Sequence, residues 1–322
     1  MPKRQYVIGM DGGGTKTAAI LADLKGTVLA EENGGASNFQ IIGVEKAAGV
    51  LFELAEACCS QVGCSMDDVQ SIAAGLTGAG RAGDQQRMRD GLVEHAKKKK
   101  VKLKDIVIES DARIALEGAF KGKAGIILIA GTGSIAFGKD PEGNVHRVGG
   151  WGRILGDEGS GYAIAREALN AVTKHLDGRG KKTLITDLIA RKFDLSTQEE
   201  LINAVYRDGF DIAAVTPLVI QAAEKDDVEA ARILNRATFE LSEHVRALLL
   251  KIEKSTGARQ KVPLALIGSV ITSESVLSTV LKHKITFSMP QISIIAPESP
   301  PAYGAVLLAI QSIKVTTQPK IF

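Results

Sequence analysis

The first stretch with the residue types for chemistry is a turn of three consecutive glycines flanked by hydroxyls and charges. It comprises Asp11, Gly12, Gly13, Gly14, Thr15, Lys16 and Thr17. Short apolar runs precede and follow it, which predicts a turn between two β-strands. Glycines let a bulky anion approach the backbone N–H groups closely, while the Asp at the strand end could anchor a metal ion or a water molecule. The stretch indicates a phosphate site, and a glycine-rich hairpin that binds nothing is the alternative.

A second turn of this kind lies 117 residues further along the chain (131 minus 14), after an apolar strand pattern. It contains Gly131, Thr132, Gly133 and Ser134. At this offset Gly14, Thr15, Thr17, Asp23, Gly26 and Val28 fall on Gly131, Thr132, Ser134, Asp140, Gly143 and Val145. The matches indicate a repeated β-hairpin, one per domain, with chance as the alternative. Two such loops could hold the two ends of a polyphosphate through backbone N–H groups.

Asp111 is the candidate general base. It follows a predicted strand over residues 105–109 and precedes a predicted helix over 112–120. Loops at the carboxyl ends of strands are where α/β sheets bind ligands. Phosphoryl transfer needs positioning, a metal ion and one carboxylate to accept a hydroxyl proton. The alternative is that Asp111 only caps the helix.

Three further sites could contact a flat or hydroxylated ligand. Asp157 lies in a glycine-flanked loop after the single Trp151, and Asn38 offers both a donor and an acceptor. A carboxylate beside an apolar ring suits a sugar, whereas a helix cap and a core Trp are the alternatives. The turn Gly268-Ser269 would admit a purine, although, taken alone, an ordinary strand-to-helix turn is the better explanation of it.

The elements that must position these residues alternate between strands and helices. Strands are predicted over 6–10, 18–23 and 27–32, and helices over 44–62 and 83–96. A long helical region is predicted over 160–256, with breaks near 178–180, 194–196 and 208–209. These alternating patterns predict an α/β protein with more than one core.

Composition excludes some classes of function. The chain has 322 residues, 45% of them apolar, and a net charge of +3, which is too small to indicate nucleic-acid binding. We expect no membrane span, because no run of about 18 apolar residues occurs. The N-terminus lacks the apolar stretch of a signal peptide, so we expect a cytoplasmic protein. Cys58, Cys59 and Cys64 share one predicted helix and match no zinc-binding pattern.

Together these motifs resemble the BadF/BadG/BcrA/BcrD-type ATPase family, on its N-acetylglucosamine kinase side, within the sugar kinase/heat-shock protein 70/actin superfamily. The resemblance extends from about residue 6 to 313. The Gly-Gly-Trp-Gly run that ends at Gly152 and the Gly-Asp-Glu-Gly-Ser run that ends at Ser160 are its most specific part. The matching motifs cover residues 9–17, 35–38, 75–78, 110–112, 131–134, 149–152, 156–160 and 301–305.

The resemblance implies an α/β protein of two actin-like (ribonuclease H-like) domains, each with a mixed five-stranded sheet flanked by helices, and a cleft between them. We expect the N-terminal domain at 1–114 plus 300–313, the C-terminal domain at 115–299 and a tail at 314–322. It implies an ATP-dependent kinase of an amino sugar that acts on the 6-hydroxyl and uses Mg²⁺. A homodimer is expected from the family alone.

By the same resemblance, Asp111 would be the base and Asp11 would hold Mg²⁺ through water. The residues expected to contact ATP are Asp11, Gly12, Gly13, Gly14, Thr15, Lys16, Thr17, Gly131, Thr132, Gly133, Gly268 and Ser269. Those expected to contact the sugar are Ser37, Asn38, Asp111, Gly150, Trp151 and Asp157.

Two departures from the family pattern concern specificity. Ser269 stands where a second glycine is more usual, and Ile135 stands where N-acetylglucosamine kinases can carry a polar residue. The sugar could therefore be N-acetylglucosamine, glucosamine or another hexosamine. The alternative function is that of an activator that couples ATP hydrolysis to electron transfer in a dehydratase or reductase. Such activators hold an iron–sulfur cluster, which requires suitably placed cysteines.

Overall fold

The structure, a computed structural model, describes residues 5–257 and 260–317, with side chains to residue 314. The chain divides into two compact units: unit 1 is Met1–Lys123 with Pro297–Phe322, and unit 2 is Ala124–Ala296. The described strands are β1 (Tyr6–Gly12), β2 (Thr17–Asp23), β3 (Val28–Gly34), β4 (Val69–Leu76), β5 (Ile106–Ser110), β6 (Gly125–Ala130), β7 (Ser134–Lys139), β8 (Val145–Gly149), β9 (Val262–Ile267) and β10 (Ile292–Ile295).

The first helix along the chain is a single turn in unit 1, and the last helix, after unit 2, also belongs to unit 1. They are α1 (Phe39–Ile42), α2 (Val44–Val62), α3 (Ala82–Lys98), α4 (Asp111–Ala119), α5 (Gly161–Leu176), α6 (Leu184–Phe193), α7 (Gln198–Tyr206), α8 (Thr216–Ala223), α9 (Val228–Thr256), α10 (Ser269–Thr272), α11 (Val276–Ser288) and α12 (Pro301–Thr317). Short 3₁₀ turns occupy Met66–Asp68 and Ile212–Val215.

Each unit contains a mixed five-stranded sheet, as the family resemblance implies. The strand order is β3-β2-β1-β4-β5 in unit 1 and β10-β9-β6-β7-β8 in unit 2. In both sheets three consecutive strands pair antiparallel and two further strands add in parallel. The parallel strands are joined through helices, because a parallel pair needs a crossover.

The predicted repeat of the hairpin is confirmed by this topology. β2 begins at Thr17 and β7 at Ser134, which are equivalent at the offset of 117 residues. The turns that follow are built alike, because Gly26 and Gly143 both have positive φ and donate their N–H to the carbonyls of Asp23 and Asp140. The two units therefore share one structural plan.

Helices cover both faces of the sheet in unit 1. Tyr6, Ile8 and Met10 face the cluster formed with α2 and α3, whereas Val7 faces α4 and α12. Successive side chains of a strand point to opposite faces, so β1 can be apolar throughout. At Gly304 an added Cβ would overlap the backbone of α4, so α12 and α4 pack in direct backbone contact.

Unit 2 has one large aliphatic core. The long helix α9 crosses β6, β7 and β8 and also packs against α5, α8 and α11. Its buried positions, which include Leu241, Val245, Leu248 and Ile252, recur every three or four residues. That spacing places them on the face of the helix that meets the sheet. No helix in the part of the chain that the structure describes is long and apolar enough to cross a membrane.

The predicted domain boundaries need correction. Residue 114, where the first segment was expected to end, lies inside α4, which packs as one helix against α12. Residues 115–123 and 297–299 also belong to unit 1, because the N–H of Glu298 donates to the carbonyl of Ala119 at 3.0 Å. The predicted tail at 314–322 is wrong at its start, since α12 continues to Thr317, and residues 318–322 lie outside the described residues.

Candidate active site

The turn between β1 and β2 in unit 1 is held by backbone hydrogen bonds. The N–H of Gly13 donates to Lys16, and the carbonyl of Gly13 accepts the N–H groups of Ser37 and Asn38 at 3.0 and 3.1 Å. Gly14, Thr15 and Lys16 are exposed at its tip. The polypeptide thus presents these three predicted phosphate-contacting residues on a fixed turn.

Thr17 and Ser37 stabilise the turn between β1 and β2 through their side chains. Both side chains are fully buried. The hydroxyl of Thr17 lies 2.7 Å from the carbonyl oxygen of Gly35 and 2.8 Å from Oγ of Ser37. These hydroxyls tie the turn to the segment after β3, and a ligand contact by Thr17 or Ser37 stays a prediction. Gly12 is also buried, and its carbonyl accepts the N–H of Thr77.

Asp111 is the first residue of α4, and its carboxylate is fixed by two hydrogen bonds. Oδ2 accepts the hydroxyl of Thr77 at 2.8 Å, and Oδ1 accepts the N–H of Ala112 at 2.8 Å. The helix cap is Ser110, whose Oγ accepts the N–H of Arg113, so the alternative that Asp111 is only the cap is wrong. The carboxylate keeps lone pairs for a further donor.

Asp11, at the end of β1, is half-buried and lies within electrostatic reach of Asp111. Burial, followed by the negative charge of Asp111, raises the pKa of its carboxyl to about 6, whereas Lys16 opposes the shift. Two carboxylates that repel each other form a local excess of negative charge. A divalent cation would stabilise both in their ionised forms.

Asn38 caps the short helix α1. Its Oδ1 accepts the N–H of Gln40 at 3.1 Å, so the amide oxygen is in use within the loop. The amide nitrogen carries the two donors through which Asn38 could contact a ligand hydroxyl.

The equivalent turn in unit 2 is bonded to the start of α5. The N–H of Gly161 donates to the carbonyl of Gly131 at 2.8 Å, and the N–H of Tyr162 donates to that of Thr132 at 3.2 Å. Ser134 donates its hydroxyl to the carbonyl of Glu158 at 2.7 Å. The turn and the Gly-Asp-Glu-Gly-Ser segment therefore form one hydrogen-bonded assembly.

Trp151 lies on the surface of unit 2 with 70% of its area exposed. The guanidinium of Arg147 lies 5.9 Å from the ring centroid and donates to the carbonyls of Gly149 and Gly150. The loop that follows also exposes Ile154 and Leu155. Gly150 and Trp151, which are predicted to contact the sugar, therefore lie on an exposed loop with several apolar side chains.

Asp157 and Glu158 return the chain from this loop to α5. Asp157 has φ of +59° and lies against Gly133, where an added Cβ would be 3.0 Å from its Oδ2. Oε2 of Glu158 lies 3.9 Å from Nε2 of the buried His244, whose ring occupies the space next to Gly149. The predicted residues Gly133 and Asp157 are therefore brought together.

A cavity of about 530 Å³ opens beside the turn at Gly268 and Ser269. Gly268 has φ of +99°, and an added Cβ would overlap the carbonyl of Ala130, so only glycine fits this position. The cavity is lined by residues from three parts of unit 2: Gly131, Thr132, Gly161, Asp211, Ala213, Ala214, Thr216, Pro217, Ile220, Gln221, Glu224, Ser269, Val270, Ser273, Glu274 and Ser275. A volume of this size suits a nucleoside.

A second cavity of about 470 Å³ shares Thr132 and Asp211 with the first. Its other lining residues are Gly133, Arg153, Asp157, Tyr162, Gly209, Phe210 and Ile212. Sequence reasoning missed Arg153, Tyr162 and Asp211. Asp211 caps a 3₁₀ turn, and no spacing in the sequence links it to the other two.

The cysteines lie in or next to α2 in unit 1. Cys58 and Cys59 are buried in the core there, and burial raises the pKa of the Cys58 thiol to about 11. Among the described residues, no group of three or more His, Cys, Asp or Glu side chains could hold a metal ion. Buried, protonated thiols are poor ligands for an iron–sulfur cluster, which needs thiolates. These residues do not fit the activator alternative.

Two units with the same mixed sheet, each with a glycine- and hydroxyl-rich turn after its first strand, define the actin-like ATPase fold. The chain belongs to the BadF/BadG/BcrA/BcrD ATPase family, whose model matches residues 8–309.

The chain is 37% identical to an N-acetylmuramic acid/N-acetylglucosamine kinase of Clostridium acetobutylicum, over 95% of this chain and 98% of that protein. It is 31% identical to an N-acetyl-D-glucosamine kinase of Dictyostelium discoideum, over 97% and 99% of the two chains. The crystal structure of a candidate N-acetylglucosamine kinase from Chromobacterium violaceum matches with a TM-score of 0.72 and 28% identity, over 96% and 100% of the two chains.

Proposed function

We propose that the protein is an ATP-dependent kinase that phosphorylates an amino sugar, N-acetylglucosamine or glucosamine, at the 6-hydroxyl. The observation that carries the proposal is the fixed carboxylate of Asp111, which has Asp11 within electrostatic reach. The relatives that match almost the full chain are named as amino-sugar kinases, which supports the same substrate class.

The residues of unit 1 fit a magnesium ion. Asp11 and Asp111 provide hard oxygen atoms, and their mutual repulsion would be relieved by a divalent cation. We propose that Asp11 holds Mg²⁺ through water. When bound, the ion neutralises phosphate charge.

In the proposed reaction, the sugar 6-oxygen forms a bond to the γ-phosphorus, the bond from that phosphorus to the β,γ-bridging oxygen breaks, and ADP leaves. Asp111 accepts the proton of the hydroxyl, and Thr77 holds the carboxylate in one orientation. The turns at Gly13–Lys16 and Gly131–Gly133 would hold phosphates through backbone N–H groups. The adenosine would occupy the cavity beside Gly268.

We propose that Asn38, Gly150, Trp151 and Asp157 contact the sugar. Asn38 and Asp157 offer polar atoms for hydroxyls, and Trp151 offers an apolar ring. Ile135 packs against Gly150, so an apolar side chain lies beside this one of the proposed sugar-contacting residues. The homodimer, the cleft between the domains and the cytoplasmic location stay predictions.

The proposal is tested by measuring ADP release with a coupled assay across a panel of sugars. Glucose, glucosamine, N-acetylglucosamine and N-acetylmannosamine, each with ATP and Mg²⁺, separate the amino-sugar class from other hexoses. We expect at least one hexosamine to raise ADP release well above the rate without sugar. The kinase proposal fails if no sugar does so.

The role of Asp111 is tested by Asp111→Ala. We expect sugar phosphorylation to be abolished while ATP binding, measured by calorimetry, persists, because the base acts on the acceptor. Asp67→Ala removes an exposed carboxylate of the same unit and is the matched control. Sugar phosphorylation that survives in Asp111→Ala would show that another group is the base.

A further inference from the structure

Arg153 is an exposed arginine in the loop between Trp151 and Asp157, and it lines the 470 Å³ cavity with Thr132 and Gly133. Its guanidinium carbon lies 5.6 Å from the centroid of the Tyr162 ring. A guanidinium against an aromatic face keeps its N–H donors free at the edge. The side chain is thus supported by an apolar contact and still able to bind an anion.

The supporting ring belongs to the same assembly as the second phosphate turn. The backbone N–H of Tyr162 donates to the carbonyl of Thr132 at 3.2 Å, and that of Gly161 donates to Gly131 at 2.8 Å. Any shift of the start of α5 would therefore move both the turn and the ring on which Arg153 lies. The positions of the guanidinium and of the backbone N–H groups of the turn are coupled.

Among the described residues, one arginine and two carboxylates line this cavity. Asp157 and Asp211 line the cavity, and both would repel a polyphosphate. Among the lining residues that the structure describes, Arg153 supplies the positive charge. The guanidinium of Arg147, by contrast, donates hydrogen bonds to the carbonyls of Gly149 and Gly150.

We propose that Arg153 is a catalytic residue that binds the γ-phosphate of the nucleotide and neutralises the charge of the phosphoryl group during transfer. This inference rests on the proposed kinase function. A guanidinium can bind two phosphate oxygens at once and stays protonated throughout. The bond to the sugar oxygen forms and the bond to the ADP oxygen breaks, while the hydroxyl proton goes to Asp111 and no proton leaves Arg153.

Steady-state kinetics with the amino sugar and ATP test the catalytic part of the inference. We expect Arg153→Ala to lower kcat by about 10²-fold, the usual loss when one donor to a transition-state anion is removed. The KM for the sugar should change by less than about threefold, because the guanidinium acts on the phosphate. Arg153→Lys should recover part of the loss, since it restores the charge without the two-pronged geometry.

The matched control is Arg179→Ala. Arg179 is an exposed arginine of the same unit that pairs with Asp177 at 2.5 Å, far in sequence from the phosphate turn. We expect its kcat to equal that of the unaltered protein. Thermal unfolding of each variant shows that it is folded before the rates are compared.

A binding measurement tests the same contact without catalysis. By calorimetry, Arg153→Ala should weaken binding of a non-hydrolysable ATP analogue by about tenfold, equivalent to about 1.4 kcal/mol, and leave ADP binding unchanged. The γ-phosphate is the difference between these two ligands, so the comparison isolates the proposed contact. This result is informative even if no sugar is phosphorylated, so failure of the kinase proposal and failure of this inference are distinguishable.

Three outcomes would overturn the inference. An unchanged kcat in Arg153→Ala would show that the side chain does not act in transfer. Equal weakening of the binding of the ATP analogue and of ADP would show that Arg153 does not contact the γ-phosphate. A loss limited to sugars that carry a carboxylate, with other hexosamines unaffected, would show that Arg153 recognises the acceptor.

Discussion

Replacing Asp11 with Asn should stabilise the ligand-free protein at alkaline pH while it removes kinase activity. Burial, followed by the negative charge of Asp111, raises the pKa of the Asp11 carboxyl to about 6. An ionised Asp11 is therefore unfavourable in the folded protein, and Asn has nearly the same shape without the charge. We expect activity and stability to change in opposite directions at this position.

The magnitude follows from the pKa of about 6 in the folded chain and the ordinary value of 3.8. At about 1.4 kcal/mol per pKa unit, the difference corresponds to about 3 kcal/mol at pH 8 and about 1.5 kcal/mol at pH 5. The folded state holds the proton more tightly than the unfolded state. This contribution to stability is therefore fully present below pH 3.8, is lost as the pH rises to about 6, and stays lost above that value.

The assay is urea unfolding at pH 5 and pH 8, without Mg²⁺ or nucleotide. Unfolding is monitored by hydrogen exchange of the peptide that contains β1. Exchange in β1 reports on unit 1, whereas the fluorescence of Trp151 would report on unit 2. Asp67→Asn is the matched exposed control. Because Asp111 supplies part of the repulsion, the double variant with Asp111→Asn should gain less than the sum of the two single variants.

Two results would refute this reasoning. One is a loss of stability in Asp11→Asn at pH 8, which would mean that the ionised carboxylate is favourable in the folded chain. The other is an equal change at pH 5 and pH 8, which would mean that titration of Asp11 does not contribute.

Three further predictions concern positions where the structure allows little change. Gly268→Ala should weaken ATP binding at least about tenfold by calorimetry, because its φ of +99° and its contact with the carbonyl of Ala130 leave no room for a Cβ; unchanged affinity would contradict this. Gly149→Ala should lower the free energy of unfolding by about 1–3 kcal/mol more than Gly152→Ala. Both glycines have positive φ, but only at Gly149 would the new methyl group overlap a buried imidazole, so equal losses would argue against the packing. Asp140→Asn should destabilise unit 2 by about 2 kcal/mol. Burial of the Asp140 carboxyl raises its pKa, but hydrogen bonds with Ser255, Asn144 and His146 outweigh burial and hold the pKa well below its usual range. That contribution is present above pH 3.8 and is lost as the pH falls, so in urea titrations the deficit should shrink in acid.

The hairpin repeat could be predicted because its residues report directly on backbone geometry. Gly26 and Gly143 occupy positive-φ positions in equivalent turns, and Asp23 and Asp140 accept backbone N–H groups within them. Residue types that are tied to turn conformation are visible in a sequence without any long-range contact. The same argument explains why the turns of the candidate site were recognised.

The side chains of the candidate site were predicted less well, because their orientation depends on the strand pleat. Thr17 begins β2, and alternation along that strand places its hydroxyl inside, against Ser37. The position of Asp111 was easier to predict, since the apolar pattern of β5 ends directly before it, whereas its role as the base stays a prediction. Arg153 and Tyr162 meet only through a loop whose path no local pattern fixes.

The helical region of unit 2 shows a similar limit. Breaks were predicted near residues 178–180, 194–196 and 208–209, and α5, α6 and α7 end next to these segments. The break between α8 and α9, at residues 224–227, was missed, because this segment contains neither glycine nor serine. Its signal is Asp226, with φ of +61°, followed by Asp227, whose side chain caps α9 at Ala230. Consecutive acidic residues before a periodic apolar pattern could have indicated it.

The packing of α12 on β1 and α4 has a consequence for how the chain is made. Unit 1 is assembled from residues on both sides of unit 2 in the sequence, so one face of its sheet is covered by α4 alone until residues 301–317 have left the ribosome. Unit 2 is continuous and is complete earlier in synthesis. Nascent unit 1 therefore exposes the apolar side chains of Val7, Ile20 and Ala73 during nearly all of translation, and a chain that terminates before α12 would retain a finished second unit beside an unfinished first one.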